Sequence, residues 1–294
     1  MPARASAPSC CTEAAMERVS AVRSFGGQQL RFKHASAVLR CDMHFSLYLP
    51  PQAATGSVPL LTWLSGLTCT DENFVQKACA QRAAAEQGVA ILAPDTSPRG
   101  EGVADDPEGS WDLGLGAGFY VNATEAPWSE HYHMYDYVLE ELPALVAEQH
   151  SVDLERQSIF GHSMGGHGAL SIALRNPERF RSVSAFAPIC APLQCPWGEK
   201  AFSAYLGMDR ELWASHDSCE LIRRATSHLP MLVDQGAEDS FFEEQLKTPL
   251  LAAACQESAY PANIRMQEGY DHSYFFIASF MDEHVAFHAG HCAP

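Results

Sequence analysis

The chain has 294 residues, and its 19 lysine and arginine residues against 36 aspartate and glutamate residues give a formal charge of −17. A surface this acidic repels nucleic-acid phosphates and anionic lipid headgroups. The densest basic cluster is only the pair Arg223-Arg224, so we expect neither nucleic acid nor membrane as a partner. The composition, 47% hydrophobic, allows a large core, but no apolar run approaches the roughly 18 residues that span a membrane.

The chain begins with a segment, residues 1–16, that is rich in alanine, serine and proline. We predict that it is a disordered N-terminal extension, with a targeting segment as the alternative, and that residues 17–294 form the folded domain. The segment has no apolar stretch of the kind that a secretory signal peptide needs. We therefore predict a cytoplasmic protein whose ten cysteines stay reduced, because disulfide frameworks belong mainly to short secreted chains.

Hydrophobic patterns predict strands and helices that alternate along the rest of the chain. Residues 39–49 alternate apolar and polar side chains before Pro50-Pro51, which indicates an antiparallel, half-solvated strand. Nearly continuous apolar runs predict buried strands at 59–64 and 89–93. Residues 158–160 are expected to end a short strand, and further strands are predicted at 183–187, 231–234 and 264–267. Helical spacing predicts helices at 72–87, 135–149, 164–175, 243–255 and 274–289.

This alternation is typical of a single α/β domain with a mostly parallel central sheet and helices on both faces. The early alternating strand adds an antiparallel N-terminal part to that sheet. Residues 97–128 form a long glycine-rich segment with several large aromatic side chains, including Trp111 and Trp128. Long loops of this kind inside compact domains are usually functional, so we predict a functional role for this one.

The sequence Gly161-His162-Ser163-Met164-Gly165 fits the pattern G-x-S-x-G. It follows an apolar strand and opens a helix, which is the strand-turn-helix setting that exposes a nucleophilic serine at the edge of a sheet. Glycine is needed at positions 161 and 165 because a Cβ atom there would clash in so tight a turn. We predict that Ser163 is a catalytic nucleophile; the alternative is a serine that merely occupies a turn.

Two backbone N–H groups are expected to stabilise the oxyanion that forms on the substrate. The N–H of Met164 lies at the start of the predicted helix, where the helix dipole also favours negative charge. The second donor should come from the loop after the strand at 59–64, and we assign it to Leu67, beside Gly66.

A serine nucleophile needs a histidine base and a carboxylate that orients it. In folds with this strand-turn-helix motif, which is called a nucleophile elbow, both residues follow the serine in the chain. Asp239 lies at the tip of the loop after the strand at 231–234 and is our choice for the carboxylate. Asp234 and Glu238 are the alternatives. Asp234 is nearer the strand and more typical of a structural role, whereas Glu238 should point to the other side of the loop.

His272 is our choice for the base, because it lies on the strand-to-helix loop after residues 264–267 at the same edge of the sheet. His162 and His167 flank the serine but cannot readily face it, so we interpret them as packing or rim residues. Three more histidines have helical spacing near the C-terminus and could imitate a metal site, although we expect a solvated terminal helix; they are His284, His288 and His291. We predict no metal.

Several long strings carry a family resemblance. They include LSGLTCTDENF at 64–74, FGHSMGGHGAL at 160–170, CPWGEKAFSAYLG at 195–207 and QEGYDHSYFFIASF at 267–280. Together they resemble the S-formylglutathione hydrolase family, also called esterase D, of the α/β-hydrolase superfamily. The resemblance covers residues 18–290 and leaves out only the N-terminal extension.

The resemblance implies a cytosolic serine hydrolase that cleaves S-formylglutathione to formate and glutathione in formaldehyde detoxification, without a cofactor and as a homodimer. It implies the same triad and the same two oxyanion donors. It also implies that Cys69 lies beside the active site and reacts with thiol reagents, or is simply a small buried side chain. Trp197 and Tyr270 are expected to line the acyl pocket. Lys200 and Arg99 lie near its predicted mouth, although solvation at the surface explains either.

Three alternative functions remain open at this point. A promiscuous carboxylesterase for short acyl groups would carry the same elbow and triad, and an acyltransferase could carry the same motif. A non-enzymatic binding protein on this fold would normally lack a triad member, and none is missing. Because both protein and substrate are anionic, we also expect kcat/KM to rise, or at least not to fall, with moderate salt.

Overall fold

The protein is described here by a computed structural model that covers residues 16–293. A single nine-stranded sheet forms its centre. The strands are β1 Glu17–Ser24, β2 Gly27–Ser36, β3 Cys41–Leu49, β4 Val58–Leu64, β5 Ala90–Pro94, β6 Val152–His162, β7 Val183–Phe186, β8 Met231–Gly236 and β9 Ala262–Gln267. Apart from Met16, the predicted N-terminal extension lies outside the described residues.

The spatial order of the strands is β1-β2-β3-β5-β4-β6-β7-β8-β9. The first four in this order pair antiparallel, and every pairing from β5 and β4 to β9 is parallel. The predicted α/β class, with a mostly parallel sheet and antiparallel N-terminal strands, is confirmed. Because β4, β6, β8 and β9 all run in one direction, the loops that follow them meet at one edge of the sheet.

Helices pack around this sheet. They are α1 Asp71–Lys77, α2 Ala80–Gln87, α3 Met134–Asp136, α4 Leu142–Gln149, α5 Met164–Arg175, α6 Pro196–Leu206, α7 Arg210–Ala214, α8 Ser218–Arg224, α9 Thr248–Glu257 and α10 Tyr274–His291. The predicted helix at 164–175 has the bounds of α5. None of the helices between residues 16 and 293 is both long and apolar enough to cross a membrane.

Two predicted helices are interrupted. The helix expected at 72–87 divides into α1 and α2, because Cys79 adopts a left-handed conformation with φ of 59°. The helix expected at 243–255 begins instead as a π-helical turn, Phe242–Leu246, and restarts as α9 after Lys247, which has φ of 57°. Neither residue is a glycine, so the residue type at these positions does not mark the breaks.

The antiparallel part of the sheet differs from the prediction. The strand predicted at 39–49 was expected to have a solvated face, but β3 lies between β2 and β5 and most of its side chains are buried. Strand β1 is exposed along nearly its whole length, which explains why no apolar pattern marked it. Residues 158–160 lie near the end of a strand as predicted, but that strand, β6, is 11 residues long rather than short.

A buried chain of hydrogen bonds lies between α10 and strands β6, β7 and β8. The solvated terminal helix predicted from the histidine spacing is wrong here, because His284 and His288 are fully buried. His284 bonds Asp234 of β8 at 3.0 Å and Ser184 of β7 at 2.8 Å. Further hydrogen bonds connect Ser184 in turn to His288, Ser182, Ser158 and Cys292. These bonds fix α10 against the sheet.

Candidate active site

Ser163 lies at the sharp turn between β6 and α5. Its φ of 58° is unusual for a residue other than glycine and is the strained conformation that an elbow requires. A Cβ atom on Gly161 would fall on the carbonyl oxygen of Gly165, and one on Gly165 would fall on that of Leu64. The close packing predicted for these glycines is therefore confirmed, and it holds the serine at the end of β6.

The two predicted oxyanion donors border this serine. Met164 is the first residue of α5, so its N–H has no acceptor four residues earlier in the helix. Leu67 N–H makes no backbone hydrogen bond to the described residues. The loop that carries it passes close to the nucleophile, since a Cβ atom on Gly66 would lie 3.1 Å from Ser163 Cβ. Two unpaired backbone donors are thus available near the serine.

The long segment at 97–128 supports the loop that carries Leu67. Thr68 N–H donates to the carbonyl of Gly116 at 2.9 Å, and the Tyr120 hydroxyl donates to the carbonyl of Ser65 at 2.8 Å. Tyr120 is fully buried. These bonds fix the backbone on both sides of Leu67, which gives this long loop a positioning role.

Asp239 and His272 meet after β8 and β9. His272 Nδ1 donates to Asp239 Oδ2 at 2.5 Å, and Phe241 N–H donates to the other carboxylate oxygen at 2.9 Å. Gln235 Nε2 adds a third donor at 3.3 Å. Because an ionised carboxylate only accepts, the proton of a neutral His272 lies on Nδ1, and Nε2 is left as an acceptor.

The two alternative carboxylates lie elsewhere. Asp234 is fully buried and forms an ion pair with Arg265, besides its bond to His284, so it is structural as predicted. Glu238 is exposed, whereas Asp239 is buried. Only Asp239 of the three contacts His272.

Ser163 and His272 both line a cavity of about 190 Å³. The remaining lining residues are Gly66, Leu67, Cys69, Trp111, His162, Trp197, Phe241, Ser273 and Tyr274. Cys69 and Trp197 therefore lie where we predicted. Tyr270 does not, because its ring packs against Phe276 and Phe280 behind the loop, and its predicted place in the pocket is wrong. Burial raises the pKa of the Cys69 thiol, which keeps it protonated at neutral pH.

Aromatic rings form most of the cavity wall. Trp197 contacts Trp111 edge to face with the ring centroids 5.5 Å apart, and Phe241 lies 4.8 Å from Trp197. Phe241 in turn packs edge to face on His272 at 5.0 Å. Trp111 and Phe241 were missed because they come from separate loops that only the folded chain brings together.

His162 lies in the wall of the cavity, which agrees with the packing or rim role predicted for it. Its ring packs on that of His272 with centroids 4.3 Å apart, so the expected packing or rim role becomes a direct contact with the predicted base. Burial, together with the nearby His272, lowers the pKa of His162 well below its usual value. It is therefore a neutral ring. His167, by contrast, packs away from the cavity and donates to the carbonyl of Phe119 at 3.1 Å.

The two predicted cations at the mouth are both held by carboxylates. Arg99 pairs with Asp95 at 3.0 Å, and Lys200 pairs with Asp112. Neither is simply solvated. Within residues 16–293, no group of three or more His, Cys, Asp or Glu side chains could hold a metal ion.

The strand order, the elbow after β6 and the Asp–His pair after β8 and β9 define the α/β-hydrolase class. Residues 36–287 match the model of the Esterase family. Mouse S-formylglutathione hydrolase is 53% identical over 277 residues, which make up 94% of this chain and 98% of the mouse protein. The chain therefore belongs to the S-formylglutathione hydrolase family of esterases and is a hydrolase.

Solved structures agree with this assignment. The S-formylglutathione hydrolase of Agrobacterium tumefaciens is 49% identical, with a TM-score of 0.91 over 94% of this chain and 99% of that one. A fluorophosphonate-binding serine hydrolase of Staphylococcus aureus is only 18% identical, with a TM-score of 0.72 over 90% of this chain and 98% of its own. The second likeness supports the fold alone.

Proposed function

We propose that this protein hydrolyses S-formylglutathione to formate and glutathione, the last step of glutathione-dependent formaldehyde detoxification. The observation that carries the proposal is the hydrogen bond from His272 Nδ1 to Asp239. It leaves Nε2 as a proton acceptor on a ring that lines the same cavity as Ser163. The name shared by the mouse and Agrobacterium relatives supports the choice of substrate.

In the first half of the reaction, Ser163 Oγ attacks the formyl carbon of the thioester as its proton moves to His272 Nε2. The backbone N–H groups of Met164 and Leu67 stabilise the negative charge on the formyl oxygen. Collapse of this intermediate breaks the carbon–sulfur bond. The proton on His272 passes to the departing glutathione sulfur, which leaves a formyl ester on Ser163.

In the second half, a water molecule attacks the formyl ester as His272 takes a proton from it. The same oxyanion donors act again. When the tetrahedral intermediate collapses, the proton on His272 returns to Ser163 Oγ, and formic acid is released and loses its remaining proton to water to give formate. Asp239 stays ionised throughout and stabilises the imidazolium form of His272 in both halves.

The cavity can hold the formyl group of the substrate. Its volume is about 190 Å³, and Ser163, Trp197 and Phe241 are in its wall. A formyl group is the smallest acyl group and fits this volume, but so does an acetyl group. The choice of formyl over acetyl therefore rests on the relatives and is tested by a substrate profile.

A substrate profile tests the proposal. We expect kcat/KM for S-formylglutathione to exceed that for S-acetylglutathione and 4-nitrophenyl acetate, and Ser163→Ala to abolish turnover of all three. Ser279→Ala, at an exposed serine of α10, is the matched control. Faster turnover of the acetyl ester would point to a short-acyl carboxylesterase instead, and hydrolysis retained by the Ser163→Ala variant would refute the mechanism.

The family resemblance also supports a cytosolic homodimer. Light scattering coupled to size-exclusion chromatography measures the mass in solution, and a mass of one chain would refute the dimer. Cell fractionation tests the location, with recovery in the membrane or organelle fractions as the contrary result.

A further inference from the structure

Lys77 is the last residue of α1 and lies beside a residue of the active-site cavity wall. The helix is held in place by Phe74, whose ring stacks on Trp63 of β4 with the centroids 4.2 Å apart. Lys77 Nζ lies 5.6 Å from the centroid of the Tyr274 ring, and Tyr274 lines the cavity. An exposed ammonium group is thus held next to the cavity wall by a well-packed helix and an aromatic ring.

No carboxylate among residues 16–293 forms an ion pair with Lys77. The positions three and four residues before it hold Phe74 and Asn73, which offer no charge. The two acids of α1, Asp71 and Glu72, both pair with Arg31 at 2.9 Å. Lys77 therefore keeps its charge available for a ligand.

The two cations that we predicted near the cavity mouth lack this freedom. Arg99 is occupied by Asp95, and it also donates to the carbonyl of Cys69 at 3.2 Å. Lys200 is occupied by Asp112, directly beside Trp111. A carboxylate that enters the cavity would have to displace an existing partner to bind either residue.

The charge of Lys77 acts on the cavity itself. Burial raises the pKa of Cys69, and the positive charge of Lys77 is one of the influences that oppose this rise. Cys69 lies in the cavity wall beside the loop that carries Leu67. An anion bound in this part of the cavity experiences the same attraction.

We propose that Lys77 binds a carboxylate of the glutathione moiety and so selects for an acyl donor with an anionic leaving group. The inference rests on the proposed function and assigns a residue to the part of the substrate that does not react. Glutathione has two carboxylates, each on a residue adjacent to the cysteine that carries the thioester, so both lie close to the reacting group. In a chain of net charge −17, an unpaired cation beside the cavity wall has a large influence on such a substrate.

The test compares two substrates in two variants. Lys77→Met keeps the aliphatic stem and removes the charge, whereas Lys77→Arg keeps the charge. We measure kcat/KM for S-formylglutathione and for the uncharged ester 4-nitrophenyl acetate. Lys33→Met is the matched control, because Lys33 pairs with Asp42 on β2 and β3 and does not line the cavity.

We expect Lys77→Met to lower the ratio of the two kcat/KM values about fivefold, through a higher KM for S-formylglutathione, as the loss of one partly exposed ion pair allows. Lys77→Arg should keep most of this ratio, and Lys33→Met all of it. An unchanged ratio in Lys77→Met would overturn the inference, as would equal losses in Lys77→Met and Lys77→Arg.

The wild-type enzyme separates this inference from the function on which it rests. If the wild type turns over S-formylglutathione and Lys77→Met has the same substrate ratio, the inference fails and the proposed function stands. If the wild type does not hydrolyse S-formylglutathione, the proposed function fails, and the role of Lys77 fails with it.

Discussion

The imidazole ring of His162 packs against that of His272 with a centroid distance of 4.3 Å and an angle of 45° between the planes. His162 directly precedes Ser163 in the chain, so the end of β6 supplies both the predicted nucleophile and a wall for the predicted base. Phe241 covers another side of His272. Together with the bond to Asp239, these contacts leave His272 little freedom to rotate.

His162 is accordingly expected to act as a positioning residue. His162→Ala removes the ring that His272 packs on, and small misplacements of a catalytic group cost up to about 100-fold in rate. We expect kcat for 4-nitrophenyl acetate to fall at least tenfold with little change in KM. His162→Phe retains a flat ring and should recover much of that loss. An unchanged kcat in a folded His162→Ala variant would contradict this role.

Asp239 and Glu238 provide a matched pair of substitutions in one loop. Asp239→Asn should lower kcat about 10⁴-fold, because the amide favours the wrong tautomer of His272. Glu238 is exposed, so Glu238→Gln should leave kcat within twofold of the wild type, by the small effect usual for surface substitutions. Steady-state kinetics with either ester measures both. Equal effects of the two substitutions would refute the assignment of Asp239.

Buried histidines should make the free energy of unfolding depend on pH. Burial lowers the pKa of His167 to about 4. The unfolded chain binds this proton near pH 6.5 and the folded chain only near pH 4, so stability falls as pH drops through this interval, by up to about 1.4 kcal/mol per pH unit. Urea unfolding from pH 7 to pH 5 measures the slope.

His167→Gln preserves a donor for the carbonyl of Phe119 and removes the titrating group. The slope of the unfolding free energy against pH reports the number of protons taken up on unfolding, and this number should then fall by about one. His228→Gln, at an exposed histidine, is the control. A slope in His167→Gln equal to that of the wild type would show that His167 is protonated in the folded state.

Asp234 should contribute stability that is lost only in acid. Burial alone would raise its pKa, but hydrogen bonds from His284 and Arg265 outweigh it and lower the pKa to about 2. The contribution is complete above the unfolded value of 3.8 and disappears as pH falls through about 2, with a size of about 2 kcal/mol.

Asp234→Asn should cost about 3 kcal/mol at pH 7, because it leaves Arg265 and His284 without their carboxylate. Asp282→Asn, at an exposed aspartate of α10, is the control. Urea unfolding at pH 7 and again between pH 4 and pH 2.5 checks both statements. A wild-type protein as sensitive to acid as Asp234→Asn would contradict the lowered pKa.

Salt should assist the encounter with the substrate. Because protein and substrate are both anionic, raising ionic strength from about 0.02 M to about 0.2 M screens their repulsion, and kcat/KM for S-formylglutathione should rise or stay constant. The rise should be steeper in Lys77→Met, which lacks the opposing attraction. A steep fall in the wild type would show that local attraction dominates the net charge.

Much of the active site could be predicted because its chemistry follows local rules. The elbow around Ser163 is encoded in five consecutive residues, and Asp239 and His272 follow from their places after two strands of a parallel sheet. The wall of the cavity could not be predicted in this way. Trp111, Phe241 and Tyr274 come from three distant segments, and nothing in the sequence of one segment specifies its neighbours in the others.

The fold was predicted best where strands are buried on both faces, as in β4, β7 and β8. Polar residues inside the core were misjudged for a physical reason. His284 lies four residues before His288, and a polar pair at this spacing normally marks a solvated face. Their hydrogen-bond partners Ser184 and Ser182 lie about 100 residues earlier, at 2.8 and 2.8 Å. Only the packing of α10 against the sheet brings them together.

In the buried chain of hydrogen bonds beneath α10, every donor points toward the Asp234 end. The ionised Asp234 only accepts, so His284 must donate to it through Nε2 and accept from Ser184 through Nδ1. A serine has one proton to give, and Ser184 must therefore accept from Nε2 of His288. Both imidazoles are held as the Nε2–H tautomer, a state that the nitrogen chemical shifts of a labelled sample report directly.

The same direction continues through Ser182 and Ser158 to the thiol of Cys292, which becomes the first donor of the chain. Reversing the donor and acceptor of any one hydrogen bond would require reversing all the others, so the groups form one cooperative hydrogen-bond network. This network ends at Cys292, just after α10, while the hydrogen bond from His272 to Asp239 lies just before α10. The longest helix among residues 16–293 is thus held by hydrogen bonds near both of its ends. Loss of the bonds at its C-terminal end would therefore let His272, which precedes it, move.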